Sequence, residues 1–176
     1  MVEMILPPGL TASRLKSAMR QFEAIVGAQY VFADALDRHT YADKFAVDDS
    51  HHVPLGAVAP VSVEEIRAIV RVAAEHRVPL WPISRGKNLG YGGSAPQLSG
   101  SLVLDLSRMK RIEVDETNGT VLLEPGVGFY DLYDYLQSKG IKLWLSVPGN
   151  SWGSVAGNAL DRGAGYTPDG EHASKI

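Results

Sequence analysis

Three stretches of the chain repeat apolar residues at helical spacing, and short apolar runs between them have the look of strands. After Pro7-Pro8-Gly9, the residues Leu15, Met19, Phe22, Ile25 and Val26 fall close to a 3.6-residue period, with Thr11 or Ser13 as the cap and Gly27 as the stop. Ile66, Ile69, Val70 and Ala73 line one face of a second helix running to about His76, opened by Ser62 and Glu65 at capping-box spacing. Phe129, Leu132, Tyr133 and Leu136 give a third, which stops at Gly140; this spacing assigns its tyrosines to core and rim. Strands are expected at residues 29–33, 55–60, 78–81, 102–106 and 112–114. Asn118-Gly119, ahead of Val121-Leu122-Leu123, is a two-residue hairpin signal. Residues 34–54 carry mixed charge and no period, so they are expected to form a long connection.

The order strand, helix, strand over residues 55–81 predicts a right-handed crossover and a parallel pair, whereas the hairpin that follows must be antiparallel. Together they predict an α+β fold of two small sheets flanked by helices. Residues 1–54 form an N-terminal helix and wrapping connection on this reading, and residues 55–176 the main domain. The glycine-rich, charged residues 162–176 show no pattern that would close a core, as expected of a piece of a longer protein.

Between two of the strands lies Trp81-Pro82-Ile83-Ser84-Arg85-Gly86-Lys87-Asn88-Leu89-Gly90-Tyr91-Gly92-Gly93. Glycines lack a Cβ, so Gly86, Gly90, Gly92 and Gly93 can take positive φ and let the backbone approach a ligand closely. Successive N–H groups then form an anion-binding concavity, and Arg85 and Lys87 add full charges suited to a diphosphate. A Walker loop is excluded because Asn88, not Ser or Thr, follows Lys87. The dinucleotide fingerprint is also excluded, since a strand rather than a helix follows Gly90-Tyr91-Gly92. Composition alone leaves an ordinary surface turn open.

With a formal charge of −3 and scattered cations, the chain shows no nucleic-acid surface. It has no cysteine, which excludes disulfides and thiolate chemistry. Nothing approaches the roughly 18 apolar residues of a membrane span. A cytoplasmic location is the default, or a periplasmic one if a signal peptide has been lost.

Three segments in order carry a resemblance: Pro82 to Gly93, Leu123-Glu124-Pro125-Gly126-Val127, and Gly153 to Pro168. They resemble the vanillyl-alcohol oxidase and 4-cresol dehydrogenase flavoproteins, over the front of the FAD-binding domain only, with the cap domain absent. The resemblance implies FAD as cofactor. It implies that Ser84, Arg85, Gly86, Lys87, Asn88, Leu89, Gly90 and Gly92 hold the FAD pyrophosphate. Pro148, Gly149, Ser154, Gly157, Asn158, Arg162 and Tyr166 are implied as further flavin contacts. For Ser154, Gly157 and Asn158, a plain glycine-rich helix start after Ser151 is the alternative. Tyr91 matches the loop tyrosine that hydrogen-bonds the substrate phenol.

The reaction so implied is oxidation of a para-substituted phenol at its benzylic carbon, with hydride passing to the flavin and a quinone methide left for water to attack. A 176-residue piece would not catalyse this alone, since partners for Tyr91 belong to the absent portion. Leu145-Ser146-Val147-Pro148-Gly149-Asn150 holds no carboxylate where oxidase members have one, which favours a dehydrogenase passing electrons to a protein acceptor such as a cytochrome. Asp169 also stands where the family has a tyrosine after Thr-Pro. The full-length protein is expected to be a homo-oligomer. His51 and His52 have two readings: solvated residues of a polar loop, which is favoured, or assistants of covalent flavin attachment. A hydroxy-acid dehydrogenase and a non-catalytic fragment are the rival functions.

Overall fold

The computed structural model describes residues 4–47, 52–88, 93–145, 152–161 and 163. It divides into two compact units, residues 1–108 and 109–176.

The first unit opens with α1 (Ala12–Val26), capped as its sequence predicts: the Thr11 hydroxyl accepts from the Arg14 N–H, and Gly27 ends the helix at φ 89°. A short 3₁₀ turn (Ala28–Tyr30) leads into β1 (Val31–Phe32), so the first two of the five residues expected as strand at 29–33 are helical turn. Residues 34–54 are not all connection. Asp34 and Asp37 cap each other's backbone and start α2 (Ala35–Thr40), a helix with no buried side chain. A helix without an apolar stripe leaves no period to read.

Next come β2 (Gly56–Val58), α3 (Val63–His76), β3 (Leu80–Ile83) and β4 (Leu102–Asp105). At the start of α3 the Ser62 hydroxyl accepts from the Glu65 N–H, but the Glu65 carboxylate reaches Val61 N–H rather than that of the cap itself. Ile69 and Ala73 are buried on this helix, with Ile66 and Val72 packed beside them, while Val70 faces outward. The apolar face is therefore turned away from Val70.

The sheet order is β1-β2-β4-β3, antiparallel at the first pair and parallel at the other two. The strands either side of α3 run parallel as expected, yet they are not neighbours. Leu102, Val103 and Leu104 are all buried, so β4 takes the centre, and β3, whose Pro82 lacks an N–H donor, takes the edge. On one side of the sheet Phe22, Ile69, Leu102 and Val58 form the main core with α1 and α3. Fully burying each such side chain stabilises the fold by about 1.5–3 kcal/mol.

Two irregular segments, one just before β2 and one between β3 and β4, complete this unit by pairing with each other. Gly100 N–H donates to Val53 O at 2.8 Å, Leu55 N–H to Ser101 O at 2.9 Å, and His52 Nδ1 bonds Pro96 O at 3.1 Å. A carbonyl only accepts, so His52 carries its proton on Nδ1. His52 is half-buried at φ 61°, which departs from the reading of it as a solvated loop residue; His51 lies outside the described residues.

The second unit holds β5 (Ile112–Asp115), β6 (Thr120–Leu123), α4 (Phe129–Lys139) and α5 (Val155–Leu160). β5 and β6 pair antiparallel with Asp115 opposite Thr120, so the loop is four residues long rather than two. Asp115 accepts from both the backbone and the side-chain nitrogens of Asn118, which holds its carboxyl below the usual range, and Gly119 turns at φ 63°. Phe129, Leu132 and Leu136 of α4 are buried; Tyr133 is exposed. Gly140, at φ 68°, ends the helix where expected.

Candidate functional site

Every parallel strand of the first unit ends on the same edge of the sheet, and the glycine-rich segment leaves from the end of β3. In open parallel sheets ligands gather outside the carboxyl ends of the strands. Ile83 is registered against Asp105, and Leu106 N–H returns to Ile83 O at 3.0 Å, so the segment starts from a fixed point.

Ser84, Arg85, Gly86 and Asn88 are half-buried and Lys87 is exposed. Gly86 and Gly93 both have φ of 60°, a conformation that L side chains rarely adopt. At Gly86 a Cβ would come within 2.7 Å of Ser94 Cβ and 3.1 Å of Ile83 Cδ1. Glycine is therefore required there twice, by its dihedral and by its neighbours. Ser94 is buried and its hydroxyl donates to Tyr41 O at 3.2 Å. Leu89, Gly90, Tyr91 and Gly92 lie outside the described residues.

Sequence reasoning overlooked Tyr41. Its phenol donates to Asp105 Oδ2 at 2.8 Å, while Asp105 Oδ1 accepts from Ser107 N–H at 2.9 Å. Burial first, then the Asp105 charge and hydrogen bond, push the Tyr41 phenol far above its ordinary value. It stays a proton donor throughout the working pH range. Its signal was an aromatic residue in a polar stretch that also holds Phe45, and its partner is 64 residues away in sequence.

In the second unit, Ser154 is buried and caps α5 by accepting from Gly157 N–H at 2.9 Å. The cap is Ser154 itself, three residues beyond the Ser151 expectation. Backbone bonds from Phe129 N–H to Gly153 O and from Val155 N–H to Val127 O hold this segment to the start of α4. Asn158 O accepts from Gly163 N–H at 2.7 Å, and a side chain at Gly163 would overlap the Asn158 amide. Pro148, Gly149, Arg162 and Tyr166 lie outside the described residues.

The signature of the FAD binding domain family matches residues 54–172. The 4-cresol dehydrogenase [hydroxylating] flavoprotein subunit of Pseudomonas putida is 38% identical over 172 residues, 96% of this chain and 33% of that one. The chain belongs to the vanillyl-alcohol oxidase and 4-cresol dehydrogenase family of flavoproteins. Two solved structures agree. p-Cresol methylhydroxylase with substrate bound has a TM-score of 0.88 at 37% identity, covering 94% of this chain and 33% of its own. The 4-ethylphenol oxidase of Gulosibacter chungangensis, in its isoeugenol complex, has a TM-score of 0.89 at 37% identity, covering 96% and 33%. This flavoprotein chain thus spans about a third of the relatives it matches.

FAD is the cofactor of the family, and the described residues suit it. Left-handed turns at Gly86 and Gly93, beside the cations Arg85 and Lys87, are features that suit a dianionic pyrophosphate.

Proposed function

We propose that the protein is an FAD-dependent oxidoreductase that oxidises para-substituted phenols, of the 4-cresol, vanillyl alcohol or 4-alkylphenol type, at the benzylic carbon. The reading rests on 38% identity, across 96% of the chain, to a flavoprotein subunit named for 4-cresol dehydrogenation. Residues 55–176 are the N-terminal part of its FAD-binding domain.

Bound FAD supplies the hydride acceptor. Ser84, Arg85, Gly86, Lys87, Asn88, Leu89, Gly90 and Gly92 hold the pyrophosphate through backbone N–H groups and two cations. Pro148, Gly149, Ser154, Gly157, Asn158, Arg162 and Tyr166 make the remaining flavin contacts of this chain. Tyr91 donates its hydroxyl to the phenol oxygen and stabilises the phenolate left when the phenol gives up its proton; that charge flows into the ring as hydride leaves the benzylic carbon and the neutral quinone methide forms. Leu145 to Asn150 has no carboxylate. This supports a dehydrogenase whose electron acceptor is a protein such as a cytochrome, in a protein that is homo-oligomeric at full length.

A second reading, a hydroxy-acid dehydrogenase, has support from a glycolate oxidase subunit of Bacillus subtilis, 40% identical over 90 residues. Tyr91 favours the phenol, since a carboxylate substrate calls for cations.

The test is anaerobic flavin bleaching and dye reduction by 4-cresol, vanillyl alcohol and lactate. Bleaching by the phenols with lactate inert is expected; bleaching by lactate alone would overturn the proposal. Tyr91→Phe is expected to lower kcat for 4-cresol by about a hundredfold, the usual cost of one oxyanion donor.

A further inference from the structure

We propose that Tyr41 is a positioning residue for the diphosphate-binding loop, holding through Ser94 the wall against which Gly86 rests. The proposal rests on the reading of residues 84–92 as the FAD pyrophosphate loop.

A loop that orders several N–H groups around a phosphate needs both of its ends held, because each residue left free costs about 1–2 kcal/mol of entropy when the ligand orders it. The entry is held by the sheet, through the Ile83–Asp105 register and the Leu106 to Ile83 hydrogen bond. The far side belongs to no strand. Gly93 turns left-handed, and Ser94 follows it, buried, with its hydroxyl on the Tyr41 carbonyl. Gly86 meets Ser94 so closely that no Cβ fits between them. A displacement of Ser94 therefore moves the wall of the loop.

Tyr41 is held by its backbone N–H, which donates to Asp37 O at 3.3 Å at the end of α2, and by its side chain. Its ring packs against Phe32 at 6.2 Å between centroids, and its hydroxyl donates to Asp105 at 2.8 Å. Asp105 ends the strand next to β3 and is itself pinned by Ser107 N–H. Contacts thus close a circuit from Ile83 to Asp105, Tyr41, Ser94, Gly86 and back to Ile83. Both ends of the loop refer to the same strand end. Outside the sheet ladder, the link from Tyr41 to that strand end is the phenol–carboxylate bond.

The experiment measures dissociation constants of FAD, and of ADP as a probe with the pyrophosphate but no flavin ring, on the full-length apoprotein. Tyr41→Phe keeps the ring packing and removes only the hydroxyl. It is expected to weaken both ligands about tenfold, the equivalent of one hydrogen bond to a charged group. Ser94→Ala should do the same. The double variant should be no worse than the weaker single one, because both interrupt one path. A role in stability alone would lower the melting temperature of apo Tyr41→Phe and leave both constants unchanged. That result overturns the clamp while the wild type still binds ADP. Should the wild type bind FAD but not ADP, the pyrophosphate reading of the loop falls and the clamp falls with it. If Tyr41→Phe does not fold, Ser94→Ala decides: unchanged ADP affinity there overturns the proposal.

Discussion

Gly86 and Gly119 share one backbone conformation, φ of 60° and 63°, in opposite surroundings. The glycine at the end of β3 is packed against Ser94 and Ile83, while nothing lies within 4 Å of where a Cβ would stand in the β5–β6 turn. The hairpin uses glycine for its dihedral alone. The glycine at the end of β3 is needed also for closeness, because Ser94 and Ile83 occupy the space that a Cβ would take. The flanking strands differ in part: β4 is buried from Leu102 to Leu104, whereas β3 is buried only at Ile83, and β5 and β6 alternate half-buried and exposed positions.

That contrast can be broken by substitution. Gly86→Ala has the largest expected effect, a loss of about 2–4 kcal/mol from overpacking plus a left-handed alanine, with loss of FAD retention. Ser94 Cβ sits on the backbone and cannot swing aside, so relaxation is limited. Chemical denaturation checks this, and an unchanged midpoint would mean that the wall is softer than its geometry implies. Gly119→Ala, by comparison, should cost about 1 kcal/mol from its dihedral alone and leave FAD affinity untouched. If it weakened FAD as much as Gly86→Ala did, closeness would not distinguish the two sites.

Proton linkage sharpens the comparison further. The Tyr41 phenol is raised in the fold, so native protein holds this proton after the unfolded chain has released it. Its contribution is complete below pH of about 10, the ordinary phenol value, and is lost as pH rises beyond it. Stability of the wild type should fall more steeply above that pH than stability of Tyr41→Phe. Equal slopes would remove the case for a buried phenol. The Asp115 carboxyl is shifted the other way, so what it adds is present above the ordinary carboxylate value and fades as pH falls. Being fully exposed, it should give the smallest effect: Asp115→Asn is expected to alter acid stability only slightly in urea titrations at low and neutral pH.

Much of the fold was legible because its causes are local. Thr11, Ser62 and Gly140 act on N–H and carbonyl groups a few residues away, and they cap the helices that the apolar periods predict. The α+β class and the family likewise followed from segments read in order. Two features escaped for opposite reasons. The helix α2 announces itself only by Asp34 and Asp37, without an apolar stripe, and Val70 and Tyr133 match a period while facing solvent. A period gives the spacing of a face but not its width.

The sequence by itself determined the caps of α1 and α3 and the stop of α4, the antiparallel hairpin, the glycine-rich segment and the chemistry that its glycines and cations suit. Those depend on interactions within a few residues, whose energies are set by residue type. Only the tertiary structure decided that β4 lies between β2 and β3, that Gly86 rests on Ser94, and that Tyr41 reaches Asp105. Each of these joins residues that nothing in local sequence couples. Burial on both faces of β4 from Leu102 to Leu104, and the pairing of the half-buried Asp105 carboxylate with the Tyr41 phenol, select them only once the whole unit has closed.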